Sequence, residues 1–287
     1  MRYEEKLGRH MVYVLVLAVV SMTVSGCRQQ QPTGRSPRTV SSYRGSDGAE
    51  YCPPGYIPAG PPAVVWRTVS GRTVILDPGH GGDDLGTNHF GLREKDINLD
   101  LAHRTAAMLR ARGANVIMTR SSDVFIPLPE RSAIANRNPN AAFVSIHVNA
   151  SGSNPNAVGV ETFVLSGEFT DAQRSQTVAT RFRNGGDDSI QAKQALANLA
   201  VRSRAQGPTL AASIQRQMCG RLGETDRGVK PGNLAVLRET YFGPAVLVEV
   251  GFLTHQPTAE RMRTEDWRRR TAEALCEGIC DFLQRPE

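Results

Sequence analysis

Val74-Ile75-Leu76-Asp77-Pro78-Gly79-His80-Gly81-Gly82 sets a histidine on a glycine-rich turn directly after an apolar run. Thr73 to Leu76 is β-branched and apolar, as suits a buried strand, and Asp77-Pro78-Gly79 follows with three residues that disfavour its continuation. His80 is therefore predicted to stand at a strand end. A histidine in such a loop is either a surface residue or a ligand, and partners elsewhere in the chain must decide between the two.

A hydrolytic zinc site takes three ligands of the histidine and carboxylate kinds, with a further carboxylate as base. Of the six histidines, His10 lies in an N-terminal apolar segment, His103 falls in a helical pattern, His89 is in a loop and His255 follows a strand. His147 differs from these. It closes a second buried-type run, Ala142-Phe143-Val144-Ser145-Ile146-His147-Val148-Asn149-Ala150. In an open α/β sheet, sites collect at the carboxyl ends of strands, which gives His80 and His147 a geometric reason to converge. Asn149 and His255 are candidates for contact with such ligands or with a substrate.

Two carboxylates complete the candidates. Glu94, in Gly91-Leu92-Arg93-Glu94-Lys95-Asp96-Ile97, opens a helix whose apolar positions Ile97, Leu101, Thr105, Met108 and Leu109 recur at helical spacing. Complementing the helix dipole is the alternative role for an acid at this place. Glu249 interrupts the apolar run Ala245 to Leu253, where an unpaired buried charge is costly, so it needs a cation, a metal site or a salt bridge.

These segments together resemble the zinc-dependent N-acetylmuramoyl-L-alanine amidases that cleave bacterial peptidoglycan, of the amidase 3 type. The resemblance rests on DPGHGG after a strand, REKDINL opening a helix, SIHVNAS ending a strand and VEVGFLTH near the C-terminus. It also takes in Leu128 to Asn136 and Asp226-Arg227-Gly228-Val229-Lys230, and runs from about Arg72 to Leu283. It implies one zinc ion on His80, Glu94 and His147, with Glu249 as the catalytic carboxylate. It further implies cleavage of the amide between N-acetylmuramic acid and the L-alanine of the stem peptide.

Residues 1–27 read as a lipoprotein-type signal, with Arg2, Lys6 and Arg9 before the apolar run Met11 to Val20 and small residues before Cys27. Cys27 would carry lipid and tie the protein to the membrane. Arg28 after it favours an outer-membrane anchor facing the periplasm. Residues 28–71 are rich in Gln, Ser, Pro, Gly and Arg and read as a flexible tether. The remainder, 72–285, is enough for one catalytic domain.

Apolar runs near 73–77, 115–119, 142–147, 158–165, 233–237 and 245–250 alternate with helical stretches. They predict an α/β fold with a single mainly parallel sheet flanked by helices. Trp267, Ala272, Leu275, Ile279 and Phe282 give the last helix one apolar face. Residues 166–207 form an insertion in which Ile190, Ala192, Leu196, Leu199 and Ala200 suggest a helix. The insertion is either a decorated loop or a gate over the zinc site, opened by an activator protein. Cys276 and Cys280 share a helical face and are expected as buried free thiols. The net charge of +6 is that of a solvated surface, and no motif points to nucleic acid. Two rival functions remain, a catalytically idle wall-binding module and a zinc hydrolase acting on another amide.

Overall fold

The computed structural model describes residues 68–165, 171–181 and 189–285, with the backbone of 43–44 and 50–51. The chain divides into two compact units, Met1–Ala63 and Val64–Glu287. In the first, strands β1 (Tyr43–Arg44) and β2 (Glu50–Tyr51) pair antiparallel. The expected signal with His10 and Cys27, most of the tether including Cys52, and residues 166–170 and 182–188 of the insertion lie outside the described residues.

The second unit begins with β3 (Thr73–Pro78), a short hairpin of β4 (Asn88–His89) and β5 (Leu92–Arg93), and α1 (Glu94–Ala111). Then come β6 (Asn115–Met118), α2 (Leu128–Asn136), β7 (Ala142–Asn149), β8 (Val160–Leu165), α3 (Asp171–Arg181) and α4 (Ile190–Leu222). The chain continues through β9 (Asp226–Gly232), α5 (Ala235–Arg238), β10 (Ala245–Phe252), α6 (Gln256–Met262) and α7 (Glu265–Leu283). Six strands form one sheet in the order β6-β3-β7-β10-β8-β9. The first four run parallel, β8 is antiparallel to β10, and β9 is parallel to β8.

Alternation along the strands builds two cores. Val74, Leu76, Val144, Ile146, Val246 and Val248 face one way, into a layer made by α1, α7 and the later part of α4. Ile75, Phe143 and Leu247 face the other way, against Ala135 of α2 and Val236 and Leu237 of α5. Gly278 brings α7 close to α4, where an added Cβ would sit 2.5 Å from the Cα of Ile214. Cys276 and Cys280 are buried free thiols in this layer. Among the described residues no helix is long and apolar enough to cross a membrane.

Two expectations need correction. Residues 233–237 are not a strand: Asp226–Gly232 is the sheet element, and Val236 and Leu237 bury themselves through the short helix α5. A brief apolar run satisfies either geometry, and only its packing partner decides. The insertion helix is longer than its apolar pattern suggests, since α4 runs through Pro208 to Leu222, and Ile190 is 82% exposed instead of packed. The structure also gives the insertion a place. Arg174 of α3 donates to the carbonyls of Thr240 and Tyr241, and Val178, Leu196, Leu199 and Ala200 pack on Tyr241 and Phe242, just before β10 begins. The described part of the insertion therefore lies at the amino end of β10, and does not cover the carboxyl ends where the histidines are.

Buried between the strand ends is Asp77. It accepts hydrogen bonds from Thr119 (2.6 Å), Ser145 (2.7 Å) and the guanidinium of Arg131 (2.8 Å), joining β3 to β7, to α2 and to the residue after β6. Both charged side chains are almost wholly shielded. Removing one partner leaves the other charge buried without compensation. Asp77→Ala is expected to lower unfolding free energy by about 3 kcal/mol, read as a shifted midpoint in urea with an unchanged slope.

Candidate metal centre

His80 adopts a positive φ of 61°, which is uncommon for a residue with a Cβ and must be held by its surroundings. Two buried arginines hold it. Arg131 donates to the carbonyls of Pro78 and His80, both at 2.8 Å. Arg120 donates to Pro78 (2.9 Å), Gly79 (2.9 Å) and Lys95 (2.8 Å). The turn is thus fixed from below by guanidinium forks, leaving the imidazole free to face the strand ends. Neither arginine stands out in the sequence as a site residue, although both follow the apolar strand and helix starts that place them.

Glu94 does not serve as a solvated dipole partner. The first helical amides are already satisfied, since Glu94 N–H donates to Thr87 O (2.8 Å) and Lys95 N–H to Leu85 O (3.2 Å). Its side chain turns inward and is buried. Oε1 accepts from the backbone N–H of Val148 (3.0 Å) and from Asn98 Nδ2 (3.3 Å), and lies 2.9 Å from His147 Nδ1 and 3.3 Å from His80 Nε2. Oε2 accepts from Thr87 N–H at 2.8 Å. The His80 and His147 rings meet edge to face with centroids 5.0 Å apart.

The donor atoms of His80, Glu94 and His147 all lie within 4.8 Å of one another. Two imidazoles, once deprotonated at their ligating nitrogens, and one carboxylate are a suitable set for a divalent transition metal. Burial lowers the proton affinity of His80, but the hydrogen bonds and charges of Glu94 and Asp84 outweigh it and raise its pKa to about 9. Asp84 accepts from Nδ1 at 2.8 Å, an orienting contact that sequence inspection misses.

Glu249 is on β10, in register with His147 of β7 on one side and Glu161 of β8 on the other. Its Oε2 is shielded from solvent and has no hydrogen-bond partner. Burial pushes the carboxyl up to about 7; the charges of Glu94 and Glu161 add to this, while His147 and His80 oppose it. A carboxylate poised near neutrality beside a cluster of metal-ligand type fits a general base.

The other sequence candidates sit at the margin. Asn149 donates to Glu161 at 2.7 Å, and His255 Nδ1 contacts the Thr258 hydroxyl at 2.9 Å; neither belongs to the three-residue cluster. Glu161, absent from the sequence candidates, ion-pairs with Arg227 (2.7 Å) and Lys230.

Space around the ligands is set by glycines. A Cβ on Gly79 would fall on the His147 ring. On Gly86, whose φ is +63°, it would sit 2.6 Å from Glu94 Oε2 and 2.6 Å from His80 Cδ2. Gly86→Ala is expected to leave a cooperatively folding protein that binds zinc about ten- to 100-fold more weakly, as measured by competition with a chromogenic chelator.

The family model of N-acetylmuramoyl-L-alanine amidase matches residues 74–281. YqiI of Bacillus subtilis (strain 168) is 33% identical over 225 residues, which is 78% of this chain and 91% of YqiI. LytC of the same organism, an N-acetylmuramoyl-L-alanine amidase, is 33% identical over 75% of this chain, which spans only 36% of LytC. The solved structure of the amidase AmiC2 of Nostoc punctiforme superposes with a TM-score of 0.59 at 30% identity, covering 75% of this chain and 99% of that one. With the family's sequence model spanning His80, Glu94, His147 and Glu249, the chain belongs to the N-acetylmuramoyl-L-alanine amidases.

Proposed function

We propose that this protein is a zinc-dependent peptidoglycan hydrolase that cleaves the amide joining N-acetylmuramic acid to the L-alanine of the stem peptide. The observation that carries this most directly is Glu249 Oε2, buried without a partner next to a cluster of two histidines and a glutamate. A polar atom left in that state is costly unless it serves a ligand or a reaction.

His80, Glu94 and His147 would hold the ion. When bound, zinc supplies a Lewis acid that polarises a carbonyl and makes water more acidic. Glu249 then takes a proton from the attacking water and delivers it to the nitrogen of the departing amine, so that the amine leaves neutral. Arg120, Arg131 and Asp84 keep the His80 imidazole in place throughout. The filled base position argues against an idle wall-binding module.

The same reading places the enzyme outside the cytoplasm. Residues 1–27 supply an export signal, Cys27 a lipid anchor in the outer membrane, and residues 28–71 a tether long enough to carry the domain to the wall. An activator working through the insertion at 166–207 would act from the amino end of the sheet. It would have to reach the zinc ligands through β10 instead of lifting a helix from them.

Glu249→Gln is expected to retain zinc while release of stem peptides from purified peptidoglycan falls about 10²- to 10⁴-fold; unchanged release would exclude Glu249 as the base. Cys27→Ser should move the protein from the membrane fraction to the soluble periplasmic fraction, as followed by immunoblotting.

A further inference from the structure

The two ends of the site differ in chemistry. Along the carboxyl edge of the sheet, the order of strands sets the loop after β6, then the His80 turn, His147, Glu249, Glu161, and finally the start of β9. Adjacent strands lie about 4.8 Å apart, so this edge spans about 24 Å across its six strands. Such a length accommodates a sugar ring and several peptide residues at about 3.3 Å each.

On the β6 side the surface is apolar. Val124, Phe125 and Leu128 are 45%, 55% and 51% exposed, side chains that a soluble protein does not ordinarily cluster in solvent. The loop is also rigidly placed. Asp123 accepts from Gly82 N–H (2.8 Å), Lys95 Nζ bridges Asp123 Oδ2 (2.7 Å) and Gly82 O (2.6 Å), and Arg131 Nε donates to Ile126 O (2.8 Å). The backbone and Cβ of Phe125 approach Gly82, two residues from His80, so closely that a Cβ on the glycine would sit 2.9 Å from Phe125 N and 3.2 Å from its Cβ. The base of the side chain is therefore anchored beside the turn that carries His80, and the half-exposed ring faces solvent there.

On the β8–β9 side the surface presents cations. Arg227 and Lys230 share the single carboxylate of Glu161, while the neighbouring Asp226 carboxylate is engaged by Gln215 Nε2 (2.6 Å) and the Gly228 N–H (2.8 Å). The Arg227 guanidinium lies over the Phe252 ring, 4.8 Å from its centroid, and remains one-third exposed. Stacking, the Glu161 bond and a 3.4 Å bond from Nη1 to Val158 O fix its plane, so the remaining donors point in a set direction.

The substrate in the proposed function has the same asymmetry. On one side of its scissile amide is a pyranose ring with apolar C–H faces, and on the other a peptide bearing carboxylates. We propose that the edge binds this substrate in one direction, with the sugar on Phe125 and a stem-peptide carboxylate on Arg227. The assignment rests on the proposed amidase activity and adds the orientation of the substrate and two residues that select it.

The test uses the zinc-loaded full chain and soluble substrates that differ at one end only. One pair compares N-acetylmuramoyl-L-alanyl peptide with the lactoyl peptide that lacks the sugar. The other compares peptides with free and with amidated carboxylates. Phe125→Ala should raise KM for the muramoyl peptide about five-fold, leave the lactoyl peptide unaffected and preserve the preference for free carboxylates. Arg227→Gln should reduce that carboxylate preference about ten-fold and preserve the preference for the sugar, with Arg227→Lys restoring part of the loss. Thermal melting of each variant checks that the fold is intact. Unaltered preferences in both variants, or effects exchanged between the two ends, overturn the assignment while the amidase activity stands. If the unaltered protein cleaves no muramoyl peptide and no peptidoglycan, the functional reading itself fails and the assignment falls with it.

Discussion

Everything at the carboxyl edge of the sheet is organised around the buried carboxylate of Glu94. Burial by itself would raise its proton affinity, but hydrogen bonds from His147 and His80 outweigh this and hold it well below the usual carboxylate range. An ionised group in that position must be surrounded by donors. It finds them in His147, the Val148 and Thr87 amides and Asn98, which belong to β7, the loop before β4 and α1. One charge thus ties together three pieces of chain far apart in sequence, and the same charge makes the place suited to a cation.

A second, outer set of charges keeps that arrangement in register. Arg120 and Arg131 fill the space beneath the His80 turn with five backbone carbonyl contacts at 2.8–2.9 Å. Asp77 balances Arg131 and reaches Ser145 on the next strand. Because these groups are shielded from water, each depends on the others. The left-handed backbone at His80 is tolerated for that reason.

The position of the insertion follows from strand topology. Strand β8 runs antiparallel to β10, so a segment that leaves its carboxyl end starts at the far end of the sheet from the histidines. Arg174 then secures α3 to the carbonyls of Thr240 and Tyr241, and α4 crosses back along α7 to reach β9. The described residues of this segment lie at the amino end of β10, away from His80, Glu94 and His147.

The sequence by itself determined the strand-turn segments at His80 and His147, the helix that begins at Glu94, the strand that carries Glu249, the last helix and the class of the sheet. Those features are local: β-branched runs, turn residues and helical spacing act over a few neighbours, and each chemistry-bearing residue lies at the end of such a run. Tertiary structure decided what those neighbours could not. Whether 233–237 was a strand or the helix α5 depended on burial against Ala135 and Phe143, and whether Ile190 was packed depended on where α4 came to rest. Glu161 and Arg120 became part of the site only because β8, the His80 loop and the end of β6 meet at one edge. Long-range electrostatic pairing of this kind has no signature in residue spacing, since the partners are joined by the order of strands and not by the order of residues.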